Sequence, residues 1–185
     1  LSLVFGVMRV VNVAHGEFYM LGAVVAWWVS SLVTGHPALG FLAALVISPL
    51  VVGAIALAAE RLVLRRLDYN PEATIVATIG LLYILQQLAL TFYGPDARPV
   101  AAPFSYRVVF PWFGYSGYKL AVIGASVALL LVTWFVLMRT RLGLVMRATQ
   151  YDRETAQAFA IPVDRVYAGV FALGAMLAAI AAVLI

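Results

Sequence analysis

RTRLGLVMRATQYDRETAQAFAIPVDR, residues 139–165, is the one long polar stretch of the chain, and an apolar run of helix length abuts it on each side. It carries five arginines (139, 141, 147, 153 and 165) against Asp152, Glu154 and Asp164. A stretch of this kind is either a solvated connection between membrane spans or a docking element. Residues 152–161 favour the second, because they read as a short amphipathic helix with Ala156, Phe159 and Ala160 at i, i+3 and i+4 on one face. Asp152 and Glu154 stand where a helix begins, at the positive end of its dipole. A small helix held between two spans, with a modest apolar face and charged flanks, suits a groove on another protein.

Working outward, the flanking runs decide the class. Of 185 residues 65% are hydrophobic and 11% charged, with a mean hydropathy of +1.03. Soluble domains are about 45–50% apolar and about 25% charged, so a water-soluble globule is excluded. Segments of about ten residues alternating in polarity, which a transmembrane barrel needs, do not occur. The apolar runs instead approach the roughly 20 residues of a membrane-crossing helix. The expected fold class is all-α, a polytopic transmembrane helix bundle. With no cysteine, disulfides and thiol chemistry are out. The net charge of +4 reflects arginines held on one membrane face rather than a nucleic-acid surface.

Residues 1–11 read as the tail of a span, and the polar Asn12-Val-Ala-His15-Gly16-Glu17 separates them from a further apolar run at 18–33. Further spans are expected at 38–59, 73–93, 118–138 and 166–185, the first of these kinked at Pro49. Residues 94–117, with Pro95, Pro99, Pro103 and Pro111 among aromatics, read as an ordered cap at the membrane–water boundary. Alternating the spans puts Arg9, Arg61, Arg65, Arg66 and the five arginines of 139–165 on one side, and Arg98, Arg107 and Lys119 on the other. The positive-inside rule makes the first side cytoplasmic. Both ends of the chain fall inside apolar stretches, so residues 1–185 are read as an interior portion of a longer protein.

Arg9, Asn12, His15 and Glu17 lie between two apolar runs, where an ionisable group costs roughly 2.5–3.5 kcal/mol at a helix centre. They fit an ordinary cytoplasmic turn, or a broken helix whose irregular backbone lines an aqueous cavity. Gly6, Gly16 and Gly22 suit the broken helix. A metal site at His15 and Glu17 lacks a helical i, i+4 pair, so none is expected. Gln86 and Gln87 either bond to a neighbouring helix or touch a substrate, and at most one of two adjacent residues faces a given cavity.

FGVMRVVNVAHGEFYMLGA (residues 5–23) closely resembles the signature region of LivH-type inner-membrane permeases of branched-chain amino acid ABC transporters, and residues 139–166 resemble the same family's cytoplasmic loop with its coupling helix. The two matches lie in the family's order, and the resemblance covers essentially the whole chain. It implies a partial ABC transporter transmembrane domain over 1–185, truncated at both ends, with a broken helix near the N-terminus. It places Asn12, His15, Gly16 and Glu17 in that broken helix; these four, together with Gln86 and Gln87 from the reading above, are the expected substrate-pathway residues. Arg147, Asp152, Glu154, Thr155, Ala156 and Phe159 would sit on or beside the coupling helix. The implied partners are a homologous second permease, two ATPase subunits, a periplasmic solute-binding protein and the lipid bilayer of the bacterial inner membrane. The chain departs from the family pattern at Ala160, where glycine is usual, and at Pro162, where asparagine is common. Glycine would end the helix through a left-handed cap, which alanine does only at a cost, whereas Pro162 disfavours helix at Ile161.

No Walker A loop and no nucleophile–base constellation is present. The chain is expected to be no enzyme, with no catalytic residues, and to bind no cofactor itself, ATP and Mg sitting on the partner ATPases. The expected function is import of leucine, isoleucine and valine. Urea or short-chain amides are the alternative cargo, and an ion-coupled transporter or channel using Arg9, His15 and Glu17 is the alternative class. A membrane scaffold that carries nothing is a third.

Overall fold

The computed structural model describes the chain except residues 34, 97, 99, 101, 102, 104, 105 and 110–113. Its helices are α1 (Ser2–Met8), α2 (His15–Leu32), α3 (Pro37–Leu62), α4 (Pro71–Phe92), α5 (Gly117–Arg139), α6 (Arg141–Tyr151), α7 (Arg153–Ala158) and α8 (Val163–Leu184). A 3-10 turn, Leu64–Leu67, extends α3. Two three-residue strands, β1 (Arg107–Val109) and β2 (Gly114–Ser116), pair antiparallel before α5. The chain is a helical bundle, as expected. Phe110, Trp112 and Phe113, along with Pro99 and Pro111 of the expected aromatic cap, lie outside the described residues.

Four helices are long and apolar enough to cross a membrane: Pro37–Leu67, Pro71–Phe92, Gly117–Arg139 and Val163–Leu184. The fifth expected run, at 18–33, is carried by α2, which begins earlier and takes His15 and Glu17 into its first turn. Those two polar residues lower the hydropathy of an 18-residue helix. α2 nevertheless packs between α3 and α8, and the three form the tightest part of the bundle.

Small residues make that packing possible. A Cβ on Gly22 of α2 would lie 2.6 Å from Ala179 Cα of α8, so the two backbones nearly touch. Ala44, Ala56, Ala175 and Ala179 are buried along the same seams. In a bilayer, close packing of small residues replaces the hydrophobic drive that holds a soluble core. Ser48 of α3 donates its hydroxyl to the Gly22 carbonyl at 2.8 Å, a polar tie across the α2–α3 seam. Phe18 and Phe171 fill the space beside this crossing edge-to-face, with centroids 5.8 Å apart.

Gly22→Val should therefore separate α2 from α8, at a cost of about 1–3 kcal/mol for overpacking. A Cβ on Gly80 of α4 would meet no atom within 4 Å, so Gly80→Ala is the matched control. Thermal unfolding in detergent is expected to show a lowered midpoint for the first variant and an unchanged one for the second. Equal midpoints would mean that the α2–α8 contact does not hold the bundle.

Candidate functional site

The break between α1 and α2 is built from one strained residue, one local hydrogen bond and one hydrogen bond to α4. Arg9 ends α1 in the left-handed region (φ 55°). Asn12 is buried, and its Oδ1 accepts the Ala14 N–H at 3.1 Å. The Val13 N–H donates to Thr78 Oγ1 of α4 at 3.2 Å. Irregular backbone at membrane depth needs such partners, because lipid supplies none. His15 opens α2, half-buried beside Gly174 of α8. Glu17 sits in the first turn, suiting the helix dipole, and Gly16 is exposed. Arg9 Nη2 donates to the Gln150 carbonyl of α6 at 3.2 Å, so the break is tied to the polar stretch 139–165.

That polar stretch folds as two helices rather than one. Thr140 caps α6, accepting the Gly143 N–H at 3.3 Å. Gly143 lies so close to the end of α5 that a Cβ there would collide with the Leu137 carbonyl oxygen. Asp152 then caps α7, its Oδ1 accepting from Glu154 N at 3.0 Å and Thr155 N at 3.1 Å. The Thr155 hydroxyl also donates to Asp152, and these bonds hold the carboxyl below the usual aspartate range. The cap is thus complete above that range and weakens only as pH falls through the lowered value.

α7 ends at Ala158, shorter than the expected helix over 152–161. Ala160 takes φ 59°, with its N–H on the Gln157 carbonyl at 2.9 Å and the Ile161 N–H on the Ala156 carbonyl at 3.1 Å. This is a Schellman cap built on alanine instead of glycine. It corrects the expected face. Ala156 is buried, but Phe159, the C-cap whose N–H still donates to the Thr155 carbonyl at 3.1 Å, is 79% exposed, and Ala160, where the chain leaves the helix, is exposed too. Tyr151 is 86% exposed at the preceding helix end. Glu154 and Thr155 are exposed between these two rings. Arg147 points back, donating to the Gly143 carbonyl at 3.3 Å and lying 3.5 Å from Met138 Sδ.

Arg153 was legible only as a charge, yet it ties α7 to the bundle. Its guanidinium lies 5.5 Å from the Tyr69 ring centroid and 5.9 Å from that of Tyr167. Nη1 donates to the Asp68 carbonyl at 3.3 Å. The two tyrosines meet edge-to-face at 4.8 Å, joining the α3–α4 connection to α8. Asp68 and Tyr69 both adopt positive φ, which turns Tyr69 inward, and its hydroxyl donates to the fully buried Glu60 Oε1 at 2.5 Å. Burial and the Glu60 bond push the Tyr69 phenol up, so it remains a proton donor. Arg65 pairs with Asp164 at 2.9 Å beside this cluster, an exposed bridge that contributes little. Glu60 had a signal in the sequence, a carboxylate closing an apolar run, but its partner Tyr69 had none.

At the opposite end of the bundle a cavity of about 640 Å³ opens between α2, α4 and α8. It begins at Met20, one turn beyond Gly16, and reaches Trp27 and Ser30. Gln86 lines it. Gln87 is not among the lining residues, and its carbonyl accepts the Thr91 hydroxyl at 2.8 Å. Asn12, His15, Gly16 and Glu17 therefore lie towards the other membrane face from the cavity mouth.

Two variants test these contacts. Ala160→Gly is expected to relieve the left-handed alanine and raise stability by about 1 kcal/mol in thermal unfolding; a loss would argue against the cap. Tyr69→Phe should leave a buried acceptor unpaired and cost about 1–3 kcal/mol in the same assay.

Residues 1–185 match the protein family described as branched-chain amino acid transport system / permease component. Among curated proteins, the chain is similar to the high-affinity branched-chain amino acid transport system permease protein BraD of Pseudomonas aeruginosa, 30% identical over 197 residues. It is also similar to the permease proteins LivH of Escherichia coli and Salmonella typhimurium, each 26% identical over 200 residues. These alignments cover 100% of the chain and 63% of each relative, so the chain spans about 63% of their length. No solved structure matches.

Proposed function

The chain belongs to the branched-chain amino acid transport system / permease component family, and from that premise we propose that it is the permease subunit of an ATP-binding cassette importer for leucine, isoleucine and valine. It is a multi-pass membrane protein, and we assign it to the bacterial inner membrane, with a homologous second permease, two ATPase subunits and a periplasmic solute-binding protein as partners. ATP and Mg belong to the ATPases in this reading. Relatives named as amino acid permeases support leucine-type cargo over urea or amides.

The observation that carries the coupling role is α7. It is a single capped turn and a half that presents Glu154 and Thr155 outward, with Tyr151 at the end of α6 and Phe159 at its own cap exposed on either side, while Ala156 and Arg153 fasten it from behind. Aromatic side chains exposed around a polar centre are what a docking site offers a partner. A push on α7 reaches α8 through Tyr167, the α3–α4 connection through Asp68 and Tyr69, and the α1–α2 break through Gln150 and Arg9. It reaches α5 through Gly143. ATP-driven closure of the partners would thus tilt several spans together and exchange outward for inward access. The cavity beyond Met20, largely apolar and lined by Gln86, is where we place the cargo, and in this reading Asn12, His15, Gly16 and Glu17, nearer the other end of the bundle, would be met further along its path.

Glu154→Arg and Phe159→Ala should cut leucine uptake at least tenfold in vesicles holding the complete transporter, with insertion and thermal stability unchanged. Normal uptake by both variants would remove α7 from the coupling path. Uptake driven by an ion gradient in vesicles without ATPase subunits would favour the secondary-transporter class instead.

A further inference from the structure

Resting on the importer reading above, we propose that the outer mouth of the cavity is a recognition site for an amino-acid zwitterion, Arg98 receiving the α-carboxylate and Asp96 the α-ammonium. Among the described residues that line the cavity these two alone have charged side chains, and they are of opposite sign. They make no ion pair with each other among the described residues. Both charges thus stay available to a ligand that carries one of each.

Arg98 is held in place in a way that a solvated rim arginine is not. Its guanidinium carbon lies 4.5 Å from the Trp27 ring centroid and 4.8 Å from that of Tyr93. Those rings stand edge-to-face at 5.2 Å, one from α2 and one from the end of α4. Nη2 donates to the Tyr93 carbonyl at 2.9 Å. One of five N–H donors is used there, and the planar fork that remains suits a carboxylate. Cation–π contact with both rings holds the guanidinium in place without neutralising its charge.

Asp96 follows Gly94, which has φ 88°, and Pro95, so it too sits on a defined turn after α4. Beyond the pair the walls are mostly apolar, with Ala23, Phe41 and Val183 among them, and Gln86, Ser30 and Tyr118 are polar groups among the lining residues. A cavity of about 640 Å³ lies in the range of small-molecule sites, roughly 300–1,000 Å³. An amino acid held by its head at the mouth would direct its branched side chain towards those walls. Urea and short amides can hydrogen-bond to Arg98 and Asp96 but carry no charge, so they gain no ion pair with either. The mouth therefore selects on the head group, common to all three cargoes, and leaves side-chain choice to the apolar wall.

The test uses the complete transporter in vesicles, with Arg98→Gln, Asp96→Asn and the charge-conserving Arg98→Lys. Each neutral variant should raise the KM for leucine at least tenfold with thermal stability retained, and Arg98→Lys should fall between. Leucinamide lacks the carboxylate, so its inhibition of uptake should be the same for wild type and Arg98→Gln. 4-Methylpentanoate lacks the ammonium and should likewise ignore Asp96→Asn. Leucine KM within twofold of wild type in both neutral variants overturns the site while leaving the importer intact. A wild-type transporter that carries amides and not leucine overturns both.

Discussion

The crossing of α2 over α8 at Gly22 and Ala179 is the constraint on which the rest depends. With lipid as solvent there is no gain from hiding leucine, and helices associate only where their surfaces come close enough for dispersion and short polar ties. The backbone approach at Gly22, the Ser48 hydroxyl on the Gly22 carbonyl and the edge-to-face Phe18–Phe171 pair supply those terms together. Everything functional hangs from this trio. The α1–α2 break is the start of α2, the cavity runs along the other half of the same helix, and α7 leads directly into α8.

The two ends of the bundle use aromatic rings and arginine for different purposes. At the end that holds α7, Arg153 lies over Tyr69 and Tyr167, and its hydrogen bond ends on a main-chain carbonyl. The contact joins three elements that are distant in sequence, so displacement of one is felt by the others. Beneath it the Tyr69–Glu60 bond anchors the α3–α4 connection at the base of α3. At the far end, Arg98 lies over Trp27 and Tyr93 at the edge of an open cavity, where its charge faces a space rather than a neighbour. Similar chemistry makes a joint in one place and a receptor in the other.

The helical class, the span limits and the interruption near Asn12 were legible because hydropathy reports burial in lipid directly. The α3–α4 and α4–loop boundaries fell within a few residues of their expected places for the same reason. What could not be read was decided by contacts remote in sequence. Asp68 and Tyr69 adopt positive φ where Tyr167 and Arg153, distant in sequence, receive the ring. The face expected from Ala156, Phe159 and Ala160 assumed a helix that continues; Ala160 instead bends left-handed and ends it, and Phe159 at the cap is exposed while Ala156 is buried. Of the two adjacent glutamines, periodicity allowed one to face a cavity but did not say which, and Gln86 is the one that does.

None of the apolar window of α5 is buried within the chain, and a cleft of about 380 Å³ lies between it and α8, with Leu129 and Thr133 on one wall and Leu177 and Ala181 on the other. The helix is pinned near its extremities, by the Tyr118 hydroxyl on the Leu184 carbonyl at 3.0 Å and by Gly143 against Leu137. Within this chain the strut is gripped at its ends and not along its length, in contrast to α2, α3 and α8, so of these helices it is the one with the most freedom to swing.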